Sequence, residues 1–208
     1  MDWNVYAKQN YLTARNKVPV VGAITAEFID FLHNEFHLSY DSLVVIGHSL
    51  GAHVAGFCGK SVQYGQLSYI VGLDPAGPLF DYNKPDSRLS ENDAKYVQTI
   101  QTNGNGQGTL EPIGSATFYS NWGRLQPGCG KDLAGKCSHD RCVYLYAEAV
   151  KGYSFSPMYK CDSSNNILNK KDCLDLVKGI QIGDPLRIER KAGIYHFTTN
   201  SEAPFGLL

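Results

Sequence analysis

Residues 42–51 read Ser-Leu-Val-Val-Ile-Gly-His-Ser-Leu-Gly, and no other stretch restricts the possible folds so strongly. Leu43-Val44-Val45-Ile46 is a continuous apolar run of the kind a parallel sheet buries on both faces. It stops at Gly47, and Ala52, His53, Val54, Ala55, Phe57 and Cys58 beyond it read as a helix. Tyr69-Ile70-Val71-Gly72-Leu73 is a second buried run, ending in Asp74-Pro75. Strand, helix and strand within about thirty residues make a βαβ unit. Upstream, Val21, Ile24, Phe28, Phe31, Leu32 and Phe36 recur at steps of three and four, with Glu27, Asp30 and Asn34 between them. That spacing predicts an amphipathic helix with those six residues as its apolar stripe. Downstream, Tyr96–Gln101 predicts a strand, residues 103–136 read as irregular Gly- and Pro-rich loop, 141–150 as a helix and 194–197 as a late strand.

A chain of 208 residues with 43% hydrophobic content suffices for one core, and no linker or internal repeat divides it, so one α/β domain over residues 1–208 is expected. The net charge of −1 is spread over 19 basic and 20 acidic residues without a Lys/Arg block, which argues against nucleic acid as a partner. No run approaches the roughly 18 apolar residues of a membrane span, and Met1-Asp2-Trp3-Asn4 opens without the basic and apolar regions of a signal peptide. The six cysteines point to an oxidising compartment all the same, because none forms a C-x-x-C metal knuckle. Cys129 and Cys137 enclose seven residues and Cys161 and Cys173 eleven, spacings that suit disulfide-closed loops; buried free thiols are the alternative.

Gly47-His48-Ser49-Leu50-Gly51 fits G-x-S-x-G between strand and helix, where a tight turn exposes the serine hydroxyl. The helix start supplies a positive field and free amides for a developing oxyanion, with the Leu50 N–H as the expected donor. A serine nucleophile needs a base, and the base an orienting carboxylate. Asp74 ends the next strand, beside Ser49 by topology, whereas its competitors Asp81, Asp86 and Asp93 follow no buried strand. Of the six histidines, His33 and His37 lack the H-E-x-x-H arrangement and read as a solvated face, and His48 and His53 flank the turn as packing groups. The base is then His139, on a loop before a helix in Cys137-Ser138-His139-Asp140-Arg141, or His196, inside a strand. Either preserves the order Ser…Asp…His.

The segments 45–56, 72–78 (Gly-Leu-Asp-Pro-Ala-Gly-Pro) and 137–141 resemble the three catalytic signatures of pancreatic-type lipases, a family that includes insect lipases and phospholipases A1. Pro112-Ile113-Gly114, Gln126-Pro127-Gly128-Cys129 and residues 199–206 extend the likeness over nearly the whole chain. The resemblance implies an α/β-hydrolase fold, a mostly parallel sheet with flanking helices, and it selects His139 as base beside Ser49 and Asp74. It implies a secreted monomer acting on phospholipid at an interface by an acyl-enzyme route, with neither metal nor organic cofactor. A triacylglycerol lipase is the close alternative, and a non-catalytic yolk-type lipid-binding protein the more distant one.

Where the family begins well upstream, this sequence starts near an Asp-Trp pair, here Asp2-Trp3. The resemblance therefore implies a domain incomplete at its N-terminus, lacking its first strands, the second oxyanion donor and the signal peptide, with an open edge beside the nucleophile strand. It also implies no C-terminal β-sandwich and no docking place for colipase. The family's lid lies between the cysteines corresponding to Cys129 and Cys137. Here seven residues around Leu133 span at most about 25 Å fully extended, too little to cap an acyl groove. That loop and the short segment 103–115 resemble the phospholipase A1 members. Gln101 and Ser115 stand where many relatives carry histidine, and Trp122 and Leu133 are expected near the mouth. Cys58 and Cys142, left over from the two short loops, would be brought close by the triad, which leaves a third bridge and two free thiols as the alternatives.

Overall fold

The computed structural model describes residues 2–206. Two helices open the chain, α1 (Asn4–Ala7) and α2 (Tyr11–Phe36), the second capped by the Asn10 side chain, which accepts the Thr13 N–H. Then follow β1 (Val44–His48), α3 (Leu50–Ser61), β2 (Tyr69–Leu73), β3 (Tyr96–Gln101), β4 (Ala116–Ser120) and α4 (Lys136–Val150). Residues beyond form β5 (Met158–Cys161), α5 (Ser164–Asn169), β6 (Asp175–Val177) and β7 (Gly193–Phe197). One sheet holds all seven strands in the order β1-β2-β3-β4-β7-β5-β6. Its first five positions are parallel, and β5 and β6 close the far side antiparallel. This is the mostly parallel α/β architecture, with β1–α3–β2 as the expected βαβ unit.

The sheet divides the core in two. On one face Tyr69, Val71 and Leu73 pack with Cys142, Leu145 and Tyr146 of α4. On the other, Ile70 and Val97 pack with Ala26 and Ile29 of α2 and Ala52, Ala55 and Cys58 of α3. The third bridge is therefore overturned. Cys58 and Cys142 are both free and buried, on helices that leave the site on opposite faces of the sheet. Burial pushes the Cys58 thiol up to about 12 and raises that of Cys142 as well, so neither forms a ready nucleophile. Iodoacetamide should leave the native protein unmodified, and unfolding without reductant should release two reactive thiols. The other two expected pairs, Cys129–Cys137 and Cys161–Cys173, are disulfides.

Two expectations about the elements need correction. The inward stripe of α2 is Ala14, Val18, Val21, Gly22, Ala26 and Ile29, while Ile24, Phe28 and Phe31 are about half exposed and Phe36 more so. Small residues face α3 because the two helices pack very closely: a Cβ at Gly22 would lie 2.9 Å from the Val54 carbonyl oxygen. Asp30 lies inward among them, held by the Tyr40 hydroxyl and the Gln63 N–H (3.1 Å). Among the described residues β1 pairs with β2 alone, and Ile46 on it is half exposed. The second correction is β4, a fully buried parallel strand inside the stretch read as loop. Its polar members are paired, Thr117 with the Thr99 hydroxyl at 3.0 Å and Ser120 with Gln126 at 2.8 Å. No helix among the described residues is long and apolar enough to cross a membrane.

Candidate active site

The parallel strands deliver their reactive groups at one end, as open α/β sheets do. Ser49 follows β1 with φ 57° and ψ −122°, a conformation unusual for any residue with a side chain. Its N–H donates to the Leu73 carbonyl (3.0 Å), and its own carbonyl accepts from Ala52 (3.1 Å) and Ala76 (3.2 Å), so the strained turn is held from both sides. Gly47 makes the turn possible, because a Cβ there would run into the Gly51 carbonyl. Gly51 itself has open space around its Cα, so only the first glycine of the motif is sterically required. The Ser49 side chain caps nothing and makes no hydrogen bond among the described residues. Leu50 opens α3, and the first amides of a helix have no partner within it, which leaves the Leu50 N–H for an oxyanion.

Asp74 is fully buried at the end of β2 with φ 39°. One carboxylate oxygen accepts the backbone N–H groups of Thr102 (2.7 Å) and Asn103 (3.0 Å), and the other meets His139 Nδ1 at 2.6 Å. With Nδ1 bound to a carboxylate as donor, Nε2 is the free nitrogen of the neutral ring, the tautomer a general base requires. His139 lies within the first turn of α4 rather than on a loop before it, and it is buried. His196 is excluded as the partner of Asp74. It lies on β7, three strand spacings from β2, the strand that Asp74 ends, or roughly 14 Å. There its ring stacks on Trp122 at 3.8 Å, and burial pushes it down to about 4. Trp122 is thus committed to His196 and the packing beneath it instead of the mouth, whereas Leu133 is 97% exposed.

His48 and His53 brace the site. The His48 Nε2–H donates to the His139 carbonyl (3.1 Å), its ring lies 4.5 Å from that of His139, and burial, then the neighbouring imidazole, lowers its pKa. His53 is wholly buried. Its Nε2–H donates to the Ala76 carbonyl (2.9 Å), its Nδ1 accepts the Leu89 N–H (3.0 Å), and burial holds it neutral with a pKa of about 3. Gln101 and Ser115 are structural, the first donating to the Glu111 carbonyl (3.1 Å) and the second accepting the Val97 N–H (3.0 Å). Asn103 and Gly108 were not singled out from the sequence. Asn103 gives its N–H to Asp74, and Gly108 passes so near that a Cβ would lie 2.6 Å from the same oxygen. The run Asn-Gly-Asn-Gly-Gln-Gly at 103–108 was the available signal. A cleft of about 340 Å³ opens at Ser49, walled by Trp3, Ala7, Tyr11, Pro78 and Gln107.

A strained serine at a strand-to-helix turn, beside a buried aspartate–histidine couple on a parallel sheet, defines the α/β-hydrolase class. The lipase family model matches residues 1–205, and the chain belongs to that family. It is 41% identical to lipase member H of Oryctolagus cuniculus over 89% of this chain and 41% of that protein. It is 42% identical to phospholipase A1 of Vespula vulgaris over 73% of this chain and 48% of that one. To lipoprotein lipase of Neovison vison it is 33% identical, over 99% and 48%. The chain thus spans about half the length of the curated relatives it matches.

Proposed function

We propose that the protein hydrolyses carboxylic esters of lipids, with Ser49 as nucleophile, His139 as base and Asp74 as the group that fixes the base. The observation carrying this reading is the 2.6 Å contact between His139 Nδ1 and the buried Asp74, at the strand ends beside the strained Ser49 turn. Ser49 Oγ attacks the acyl carbonyl while His139 Nε2 takes its proton. The Leu50 N–H receives the negative oxygen, and the imidazolium returns the proton to the leaving alcohol. Water, deprotonated by the same nitrogen, then releases the fatty acid. Serine–histidine contacts of this kind commonly close only around substrate, so the lone Ser49 hydroxyl is compatible with the role.

The substrate we favour is a phospholipid cleaved at its sn-1 ester, by a secreted protein. Seven residues between Cys129 and Cys137 leave the cleft open to a polar head group, and relatives named phospholipase A1 reach 42–45% identity. The two disulfides support an oxidising destination. A neutral-lipid lipase is the second reading, supported by the lipoprotein lipase match over 99% of the chain. Hydrolysis of phosphatidylcholine vesicles against triolein emulsion, by the full chain, separates the two. Fluorophosphonate should label the protein at Ser49, and Ser49→Ala should remove the label. Absence of labelling in a folded sample would leave only a lipid-binding role on the same fold.

A further inference from the structure

The Cys129–Cys137 loop does not have the bonding of a hinged cover. Its middle is tied down, because the Ala134 carbonyl accepts a hydrogen bond from Gln107 Nε2 at 2.7 Å. Just before that tie, the Asp132 carboxylate turns inward to the start of α4. It accepts the Ser138 N–H at 2.7 Å and the Cys137 N–H at 3.2 Å, while the Asp132 carbonyl accepts the Gly135 N–H at 2.9 Å. The residue in the N-cap position is Gly135, which has no side chain with which to cap. Asp132 therefore satisfies two first-turn amides that would otherwise lack partners within the helix. His139 is in that same turn, with its N–H on the Gly135 carbonyl at 2.8 Å.

The other end of the tie leads to the acid. The Gln107 N–H donates to Asn103 Oδ1 at 2.7 Å, and the Asn103 N–H donates to Asp74 at 3.0 Å. Asp74, Asn103, Gln107, Ala134, the Asp132-capped turn and His139 thus form one closed circuit, which the 2.6 Å His139–Asp74 bond completes. We infer that this disulfide loop is a brace for the general base, with Asp132 as the positioning residue that fixes the first turn of α4 and hence His139 relative to Asp74. The inference rests on the proposed role of His139. Asp132 touches neither substrate nor reacting atoms, so its effect falls on the placement of the imidazole and hence on kcat. A displacement of about 1 Å at a catalytic group can cost up to about 100-fold in rate.

The test compares Asp132→Ala and Asp132→Asn in the full chain, since Asn keeps one oxygen acceptor at the cap. With a soluble short-chain ester, Asp132→Ala should lower kcat about tenfold at nearly constant KM, and Asp132→Asn should restore most of it. Two readouts need no turnover. Amide exchange at Cys137 and Ser138 should accelerate in the Ala variant, whereas the Asn variant should keep wild-type exchange at Ser138, the amide with the shorter bond. The low-field proton resonance of the His139 Nδ1–Asp74 bond should broaden only in the Ala variant. Unchanged amide protection in Asp132→Ala, or an Asn variant as impaired as Ala in kcat and exchange, overturns the brace. Should Asp132→Ala fail to fold, the Asn variant alone decides, because wild-type exchange at Ser138 is required of it. Turnover surviving in Ser49→Ala would instead overturn the proposed chemistry, and the exchange pattern would still report on the brace.

Discussion

Asp74→Asn should reduce ester turnover about 10⁴-fold while leaving the fold intact. The size of the effect follows from how the carboxylate is held. One of its oxygens already accepts two buried backbone N–H groups, from Thr102 and Asn103. An asparagine there must turn its carbonyl oxygen to those amides, because its NH2 group facing them would leave two buried donors without partners. Its NH2 is then forced toward His139 Nδ1, which becomes an acceptor and sends the ring proton to Nε2. The nitrogen that should take the Ser49 proton is then the one already protonated. Asp74→Ala is a harsher change for a different reason. It leaves both amides unpartnered at a cost of about 1–3 kcal/mol each, so its thermal midpoint should fall where that of Asp74→Asn does not. Measured kcat on a short-chain ester, beside a melt of each variant, checks both halves. Turnover within tenfold of wild type in Asp74→Asn would remove the aspartate from the mechanism.

The sequence exposes those parts of this molecule that depend on contiguous residues. Leu43 to Gly51 carry the strand, the turn and the helix start in one run, and Asp74 ends an apolar run that lies next to it in the sheet. What stayed hidden depends on contacts between distant segments. Strand β4 was hidden in a Gly- and Pro-rich stretch, and its polar Thr117 and Ser120 can be buried only because Thr99 and Gln126 partner them. The α2 stripe was misjudged because apolar periodicity reports hydrophobicity and not distance. Close packing on α3 selects alanine and glycine for the inside and leaves the phenylalanines outside. Spacing could close two cysteine loops, but it could not show that α3 and α4 depart on opposite faces of the sheet. Motif position likewise could not choose between His139 and His196; the resemblance did, and the sheet order gives the physical reason.

Gly108→Ala should lower kcat at least about 100-fold and destabilise the fold, although no substrate-contacting group is altered. The reason is steric rather than conformational, because Gly108 is not among the residues with positive φ. A methyl group at this position would lie 2.6 Å from the Asp74 carboxyl carbon and from the oxygen that serves Thr102 and Asn103. Real Cβ contacts are essentially never that short, so either the carboxylate or the loop must move. The carboxylate is fixed by two backbone amides and by His139, all at 3.0 Å or less. The loop is also fixed, with the Gly108 N–H on the Asn103 carbonyl (3.1 Å) and the Thr109 N–H on the Pro75 carbonyl (3.0 Å). Relief in either direction breaks bonds that orient the acid, and overpacking of this kind costs about 1–3 kcal/mol in stability. Loss of kcat together with a lowered melting temperature is therefore expected from one added methyl group. A variant with wild-type values of both would mean that the 103–108 loop does not approach Asp74 as closely as its glycine requires.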